Sequence, residues 1–292
     1  MKSILFLSGK GGTGKTSLAG AFAVLAKDKV LSDCDVDAAN LHLLLDPEVH
    51  AEGDYEGSSA AIKDDERCTA CGLCRDVCRF SAIGDTLHID ANLCEGCGAC
   101  EYVCPVDAIR LVPRVSGHWM TGETRLGPLA SAELEPGEET SGKLVMHVKQ
   151  KAQGLAEAYG LERTIIDGAP GIGCPVIASA TGVDAVILVT EPSLSGLHDL
   201  ERILGVVEHF GIPAFLVVNK ADLSADLTEK ARAFAAEKNL PLLGEIPFDP
   251  AMTEAMVEGR SIVEGGTGPA CDAIQAIFAR FEQATSGASA PT

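Results

Sequence analysis

Near its start the chain reads Ile4-Leu5-Phe6-Leu7-Ser8-Gly9-Lys10-Gly11-Gly12-Thr13-Gly14-Lys15-Thr16, an apolar run followed by a glycine-rich loop. The loop matches the pattern G-x-x-x-x-G-K-[ST], and residues 17–27 after it have the pattern of a helix. Glycines let such a loop turn tightly, so that several backbone N–H groups point inward at phosphate oxygens. The N-terminus of the following helix adds positive potential at the same place. The sequence therefore predicts a strand, a phosphate-binding loop and a helix.

Two side chains of the loop carry the expected chemistry. Lys15 is expected to reach the β- and γ-phosphates of a nucleoside triphosphate, and the Thr16 hydroxyl is expected to bind Mg²⁺. The residues expected to line the nucleotide are Gly11, Gly12, Thr13, Gly14, Lys15, Thr16 and Ser17. The cofactors predicted for this part of the chain are therefore ATP or ADP and Mg²⁺.

The composition fits a large α/β protein and excludes two classes of partner. The 292 residues are 46% apolar but only 4% aromatic, which suits a parallel sheet buried on both faces. The formal net charge is −19, so neither nucleic acid nor an anionic membrane surface is an expected partner. No apolar run approaches the roughly 20 residues that span a bilayer, and we expect a cytoplasmic protein.

Strand-like and helix-like segments alternate along most of the chain. The runs predicted as further strands lie at 30–33, 163–167, 185–190, 214–219 and 241–246. Helical patterns separate the later runs, which predicts a doubly wound, mostly parallel sheet with helices on both faces. We assign 1–62 and 113–284 to this nucleotide domain, 63–112 to an inserted small α+β domain, and 285–292 to a disordered tail. Within the nucleotide domain, 113–145 is expected to be irregular.

Eight of the eleven cysteines form an internal repeat inside the segment 63–112. The first copy is Cys68-x₂-Cys71-x₂-Cys74-x₃-Cys78, and the second begins 26 residues later as Cys94-x₂-Cys97-x₂-Cys100-x₃-Cys104-Pro105. This is the spacing of bacterial ferredoxins with two 4Fe–4S clusters, where each cluster takes three thiolates from one copy and one from the other. The first cluster is expected on Cys68, Cys71, Cys74 and Cys104, and the second on Cys94, Cys97, Cys100 and Cys78.

Zinc is the alternative to iron–sulfur clusters, because four-cysteine sites also suit Zn²⁺. The first copy departs from the ferredoxin pattern, since Arg79 stands where the second copy has a proline after its fourth cysteine. Of the remaining cysteines, Cys34 and Cys271 are expected to be core residues. Cys174 has two interpretations, a packing role at the start of a helix or a bridging metal role.

The glycine-rich loop carries a second lysine, Lys10, that an ordinary phosphate-binding loop does not require. With it, the run 10–16 resembles the deviant Walker A motif of the MinD/ParA/Mrp superfamily, which includes the nitrogenase iron protein. The resemblance covers residues 1 to about 280 and implies a MinD-like ATPase with an inserted two-cluster ferredoxin domain. It also implies that Lys10 acts on the nucleotide of a partner subunit, in an ATP-dependent homodimer or a heterodimer with a paralogue.

The same resemblance assigns three acidic residues. Asp167 ends an apolar strand in a pattern similar to Walker B, so it would hold the Mg²⁺ shell. Asp35 matches the second acidic position of the family's D-x-D, so it would orient the attacking water. Asp37 would be either a helper of Asp35 or the N-cap of the following helix.

The remaining residues implied by the resemblance surround the γ-phosphate and the base. The Gly171 N–H would sense the γ-phosphate. Asn219 would read the adenine edge, and Pro247 would lie in the loop that closes over the base. Asp249 would lie in that loop too, or it would be an ordinary turn aspartate.

Three functions fit this combination, and we rank them in the following order. The first is assembly or delivery of an iron–sulfur or other metal cofactor, although relatives that do this use a short Cys-x-x-Cys at the dimer axis, which is not evident here. The second is ATP-gated electron transfer, as in the nitrogenase iron protein. The third is a spatial or cell-division organiser, but 270–283 lacks the basic amphipathic helix which that role needs. The expected client is a metalloprotein or a redox protein.

Overall fold

The structure is a computed structural model that describes residues 2–139 and 141–286. The strands are β1 (Lys2–Ser8), β2 (Lys29–Cys34), β3 (Glu48–Tyr55), β4 (Ser58–Lys63), β5 (Ile109–Arg114), β6 (Gly117–Thr124), β7 (Gly127–Leu134), β8 (Arg163–Pro170), β9 (Ala185–Thr190), β10 (Ala214–Asn219) and β11 (Leu242–Ile246). The helices are α1 (Lys15–Leu25), α2 (Leu41–Leu45), α3 (Leu73–Val77), α4 (Ala99–Tyr102), α5 (Ser141–Tyr159), α6 (Cys174–Ala180), α7 (Leu194–His209), α8 (Ala225–Glu237), α9 (Pro250–Val257) and α10 (Pro269–Ser286).

The main sheet has nine strands in the order β11-β10-β9-β1-β8-β2-β7-β6-β3. From β11 to β7 every neighbouring pair is parallel. All six residues of β9 are buried, and so are six of the seven residues of β1, as expected for strands covered on both faces. The predicted doubly wound, mostly parallel sheet is confirmed.

The expectation that 113–145 is irregular is wrong, because this range contains the strands β6 and β7 and the start of α5. A turn at 125–126 joins these strands, and Gly127 after it has a φ of 125°, a conformation that glycine adopts without strain. Both strands mix polar and small residues with apolar ones, so they lack the continuous apolar run by which the central strands were recognised. The edge strand β3 was missed for the same reason, since most of its residues are exposed.

The core beside α1 is aromatic at its centre. The Phe22 ring of α1 meets Phe6 of β1 edge-on at 5.0 Å and Phe281 of α10 at 5.8 Å between ring centroids. Cys271 of α10 belongs to the same core, and Cys34 of β2 is fully buried as well. The packing roles predicted for these two cysteines are confirmed.

The chain divides into two compact units, which we call the nucleotide unit and the cysteine unit. Of the described residues, the nucleotide unit comprises 2–52, 119–133 and 141–286, and the cysteine unit comprises 53–118 and 134–139. The cysteine unit is longer than the predicted insertion of 63–112. The reason is that β4 pairs antiparallel with β5 from Ser58↔Arg114 to Lys63↔Ile109, which adds flanking residues to the unit.

The predicted tail begins two residues too early. Helix α10 continues through Thr285 and Ser286, where the Thr285 hydroxyl donates to the Phe281 carbonyl at 2.9 Å. The rest of the predicted tail, 287–292, lies outside the described residues. Across the part of the chain that is described, none of the helices combines the length and apolar character needed to span a membrane.

Candidate functional site

The glycine-rich loop connects the buried strand β1 to α1, as predicted. Gly14 is the N-cap of α1 with a φ of 90°, and a Cβ at this position would overlap the Asn219 side-chain amide. Gly9 lies so close to α7 that a Cβ would overlap Asp199. These two positions therefore require glycine, and the loop is fixed against β10 and α7.

Lys15 lies at the centre of the site and is almost fully buried. Its ammonium group is 2.6 Å from Asp167 Oδ1 and 3.5 Å from Asp35 Oδ2. Burial by itself would lower the pKa of Lys15, but the two carboxylates outweigh it and the pKa lies above its ordinary value. The side chain is therefore a permanent cation within a ring of carboxylates.

Thr16 joins the same cluster. Its hydroxyl donates to Asp167 Oδ2 at 2.6 Å, while the other oxygen of that carboxylate accepts from Lys15. The structure thus brings together the three side chains predicted to hold phosphate and Mg²⁺, although Asp167 lies 151 residues after Thr16 in sequence.

Asp33 is a site residue that sequence reasoning did not use. It is fully buried in β2, and its carboxylate accepts the backbone N–H groups of Asp35, Asn40 and Leu41 at 3.2, 3.1 and 2.9 Å. Burial, followed by repulsion from Asp167, raises the pKa of Asp33 to about 7. The first aspartate of the D-x-D pattern therefore shapes the loop that carries the second.

Asp35 presents a carboxylate oxygen to the site. Its Oδ1 is buried and finds no hydrogen-bond partner among residues 2–139 and 141–286. Burial, as the largest cause, raises the pKa of Asp35 to about 6. Asp37 is exposed, and the N-cap of α2 is Asn40, so the capping role considered for Asp37 is wrong.

Lys10 points back onto its own chain. Its ammonium group lies 2.7 Å from Glu191 Oε1, 3.1 Å from Ser193 Oγ and 3.0 Å from Ser195 Oγ. These partners follow β9 and begin α7. The structure therefore places Lys10 in contacts within one chain, and its action on a partner subunit stays a prediction.

Gly171 and Asn219 both use their polar groups within the protein. The Gly171 N–H, predicted to sense the γ-phosphate, donates to the Ser8 carbonyl at 2.9 Å. The Asn219 side-chain amide donates to the Thr13 carbonyl at 2.8 Å, and its oxygen accepts from the Lys220 N–H at 2.9 Å. In this conformation Asn219 supports the phosphate-binding loop, while its role at the adenine stays a prediction.

The predicted base loop follows β11 and leads into α9. Pro247 begins it, and the next residue, Phe248, donates its N–H to Asp222 Oδ1 at 2.6 Å. Asp249 is the N-cap of α9 and accepts the Ala251 N–H at 3.0 Å. The Ser17 hydroxyl lies 2.9 Å from the sulfur of Met256, also in α9. Asp249 therefore has a structural role as a cap, and its contact with a base stays a prediction.

Two further residues of the site were missed from sequence. The Lys220 ammonium donates to the Gly12 carbonyl at 2.9 Å and pairs with Glu191 Oε2 at 3.0 Å. Lys220 directly follows the predicted site residue Asn219, and this position is the sequence signal that could have identified it. Glu191 follows the predicted strand 185–190, but nothing in its local sequence indicates a contact with two lysines.

The cysteine unit arranges its eight repeat cysteines in two groups. One cavity is lined by Cys68, Cys71, Cys74 and Cys104. A second cavity is lined by Cys78, Cys94, Cys97 and Cys100. Each group takes three cysteines from one copy of the repeat and one from the other, which is the arrangement expected from the spacing. Their role as ligands stays a prediction.

Several sulfur atoms in these cavities accept backbone hydrogen bonds. The N–H groups of Ala108 and Ala61 donate to the sulfurs of Cys104 and Cys94 at 3.2 and 3.3 Å. Burial raises the pKa of Cys74 and Cys100, which lie in the apolar core of the unit. Within the ranges 2–139 and 141–286, no three His, Cys, Asp or Glu side chains are close enough to share one metal ion.

Cys174 lies apart from these groups, in the nucleotide unit. It is exposed and begins α6. Gly142 of α5 packs next to it, at 3.3 Å from the Cys174 Cβ to the position where a Gly142 Cβ would stand. The position at the start of a helix agrees with the packing interpretation, and a bridging metal role stays untested.

Comparison with known proteins identifies a matching family and similar proteins. The family described as the CobQ/CobB/MinD/ParA nucleotide binding domain matches residues 4–262. An uncharacterized protein of Methanocaldococcus jannaschii is 41% identical over 230 residues, which cover 76% of this chain and 79% of that protein.

Solved structures with a similar fold include two archaeal proteins. The cell division ATPase MinD of Pyrococcus furiosus has a TM-score of 0.61 and 18% identity, covering 97% of this chain and 99% of its own. The septum site-determining protein MinD of Pyrococcus horikoshii, complexed with Mg-ADP, has the same TM-score and identity and covers 100% and 99%. At this level of identity the likeness concerns the fold alone.

The family match contains every residue of the nucleotide site, from Lys10 through Lys15, Asp35 and Asp167 to Asp249. The chain therefore belongs to the CobQ/CobB/MinD/ParA family of nucleotide-binding proteins.

Proposed function

We propose that this protein is a Mg²⁺-dependent ATPase that holds two 4Fe–4S clusters in its cysteine unit. Closure of an ATP-bound dimer would gate the passage of single electrons from a low-potential donor protein, through the clusters, to a metalloprotein. The observation that carries the proposal is the grouping of eight cysteines around two cavities in a chain that also has the Lys15–Thr16–Asp167 cluster.

The residues of the nucleotide site fit Mg²⁺ and ATP. Thr13 Oγ1 and Asp35 Oδ1 are buried, and neither has a partner within the described residues, so each is available to a ligand or its water. Thr16 and Asp167 would hold Mg²⁺, and Lys15 would contact the phosphates. When bound, Mg²⁺ neutralises charge on the phosphate oxygens. Asp35 would orient the attacking water through its unpartnered oxygen.

The residues of the cysteine unit fit clusters better than single zinc ions. A zinc site needs its sulfurs about 2.3 Å from one ion, so the side chains must converge on one point. A cubane cluster takes one thiolate at each of its irons, so its four cysteines surround a volume instead. The four cysteines of each group line a cavity, which is an arrangement of this kind.

Burial of the ligands favours resident clusters over clusters held as cargo. Cys74, Cys94 and Cys100 belong to the apolar core of the cysteine unit, packed with Ala82 and Ile83. Removing a cluster would leave a cavity at the centre of this small core, which costs stability. For this reason we place electron transfer ahead of assembly or delivery, reversing the order expected from sequence.

Delivery of a cluster or another metal cofactor is the second candidate. It is favoured by Cys71 and Cys97, which are exposed and give each cavity an edge that a recipient protein could reach. A test that distinguishes the two candidates is a redox titration of the anaerobically purified full chain, with and without a non-hydrolysable ATP analogue and Mg²⁺. Lys15→Ala serves as the control that does not bind the analogue.

Electron gating requires the nucleotide to change the midpoint potentials of the wild-type clusters and to leave those of the control unchanged. A tenfold difference in analogue affinity between the oxidised and reduced forms corresponds to about 59 mV for a one-electron couple. Equal potentials with and without the analogue would contradict gating. Transfer of clusters to an apo-ferredoxin on addition of ATP would then support delivery.

A further inference from the structure

The side chain of Lys10 has a complete set of partners in its own chain. The three hydrogens of its ammonium group match three acceptors within 3.1 Å, namely Glu191 Oε1, Ser193 Oγ and Ser195 Oγ. The Lys10 side chain is only 29% exposed, although it lies in a loop with exposed glycines. It therefore has a defined place and does not extend freely into solvent.

The acceptor Glu191 is itself fixed from the other side. Its second oxygen pairs with Lys220 at 3.0 Å, and Lys220 also donates to the Gly12 carbonyl of the phosphate-binding loop. Burial by itself would raise the pKa of Glu191, but hydrogen bonds from the two lysines outweigh it and the pKa lies below its ordinary range. Glu191 is therefore a permanent anion between two cations, one of which anchors the loop.

The segment that carries these acceptors is held in place by the start of α7. The Ser193 side chain caps α7 by accepting the Gly196 N–H at 3.0 Å. Thr190 Oγ1 donates to the Gly196 carbonyl at 3.1 Å. The close approach of Gly9 to Asp199 fixes the same helix against the beginning of the loop. The acceptors for Lys10 are thus preformed by β9 and α7.

We propose that Glu191 is a positioning residue that holds Lys10 within its own subunit, and that dimer closure must break this contact before Lys10 can reach the partner's nucleotide. The inference rests on the ATP-dependent dimer of the proposed function. Glu191 acts through Lys10 and sets how much of the ATP-bound protein closes at a given concentration. Ser193 and Ser195 complete the set of acceptors.

The contact opposes closure because the same ammonium group cannot satisfy two sets of acceptors at once. Losing an acceptor of Lys10 raises the free energy of the open state more than that of the closed state, in which Lys10 no longer uses that acceptor. The dissociation constant of the ATP-bound dimer then falls. Binding of ADP to a monomer does not require Lys10 to move, so loss of a Lys10 acceptor should not by itself change the affinity for ADP.

The test measures the dimer dissociation constant of the full chain by sedimentation, with Mg²⁺ and a non-hydrolysable ATP analogue, and the affinity for ADP separately. Glu191→Gln removes the charge. Ser195→Ala removes one hydroxyl acceptor, which also lies 3.3 Å from the Ser193 hydroxyl, and leaves in place the Ser193 side chain that caps α7. Glu201→Gln, which removes a charge at an exposed position of α7, is the matched control. If Glu191→Gln disturbs folding, Ser195→Ala still tests whether losing an acceptor of Lys10 tightens the dimer.

We expect Glu191→Gln to tighten the dimer by about three- to tenfold, Ser195→Ala to tighten it less with normal affinity for ADP, and Glu201→Gln to change neither the dimer nor the affinity for ADP. A dimer that is unchanged or weaker in both Glu191→Gln and Ser195→Ala would overturn the positioning role. A wild-type chain that stays monomeric with the analogue would overturn the proposed dimer, and this inference with it.

Discussion

Asp33 and Asp167 are register partners on the adjacent strands β2 and β8, yet only Asp167 forms an ion pair with Lys15. The carboxylate of Asp33 is directed to backbone N–H groups between 35 and 41. The two buried carboxylates therefore have different roles. Asp167 belongs to the cluster around the Lys15 cation, and Asp33 holds the loop that carries Asp35. Each can be tested separately.

Replacing Asp33 with Ala should impair hydrolysis more than nucleotide binding. The change leaves the N–H groups of Asp35 and Leu41, both at buried residues, without their acceptor. An unsatisfied buried donor costs about 1–3 kcal/mol, so urea unfolding should show a comparable loss of stability. The rate should fall at least tenfold, because Asp35 loses its fixed position. Asp33→Asn keeps an acceptor oxygen and should lose less stability and less activity than Asp33→Ala. Equal losses in the two variants would contradict the role of Asp33 as an acceptor for the loop.

Replacing Lys15 with Ala should abolish nucleotide binding and also weaken the protein without nucleotide. Asp167 and Asp35 would be left buried with no cation beside them. Breaking a buried pair by removing one partner costs about 3–5 kcal/mol. Calorimetric titration with ADP and urea unfolding measure the two effects. Lys27→Ala, at an exposed site after α1, is the control and should change neither.

Replacing Cys78 or Cys104 should remove the cluster associated with the other copy of the repeat. The wild-type protein, purified without oxygen, is expected to contain about eight iron and eight sulfide per chain. Cys78→Ser should lower both to about four and remove the cluster of the second cavity, whereas Cys104→Ser should remove the cluster of the first. Iron and sulfide assays with electron paramagnetic resonance measure this, and Cys174→Ser is the control with full content. Zinc in place of iron would refute the clusters.

The pKa of His118 should depend on Glu135. The His118 ring lies 2.7 Å from Glu135 through Nε2 and 2.8 Å from Asp54 through Nδ1. Hydrogen bonding with Glu135 is the largest cause that raises the pKa of His118, and Asp54 adds to it. Since the folded pKa is raised, these contacts stabilise the protein fully below the unfolded pKa of about 6.5, and this stability is lost as pH rises through the folded pKa.

Glu135→Gln should therefore lower the pKa of His118 towards its ordinary value, measured by NMR titration of the ring protons. Glu139→Gln, at an exposed position of the same segment, is the control and should leave the pKa unchanged. If Glu135→Gln also leaves the pKa of His118 unchanged, the contact between His118 and Glu135 does not exist in solution.

The strands and the glycine-rich loop could be predicted because their signals are local. The central strands are continuous apolar runs, and the loop is a spacing of glycines, lysine and threonine. The grouping of the cysteines could be predicted as well, because it follows from their spacing in the two copies of the repeat. The strands β3, β6 and β7 could not be predicted, because they lack a continuous apolar run. Their strand conformation depends on pairing with neighbours in the sheet.

The contacts that hold the loop could not be predicted, because they join distant parts of the chain. Lys220 and Gly12 are 208 residues apart, and Asn219 and Thr13 are 206 apart. A sequence pattern shows that a lysine follows a strand, but not which carbonyl its side chain reaches. The same limit applies to Gly171, whose N–H was expected to face a ligand and instead donates to Ser8.

The antiparallel pairing of β4 with β5 has an evolutionary consequence. Because Ser58 and Arg114 are direct partners, the chain enters and leaves the eight-cysteine segment at neighbouring points. A segment whose ends meet can be inserted into a gene, lost from it or replaced by a short hairpin without rerouting the polypeptide on either side. The eight-cysteine segment and the nucleotide site can therefore have separate evolutionary histories, and related proteins with a tight turn between these two positions would be natural counterparts of this chain.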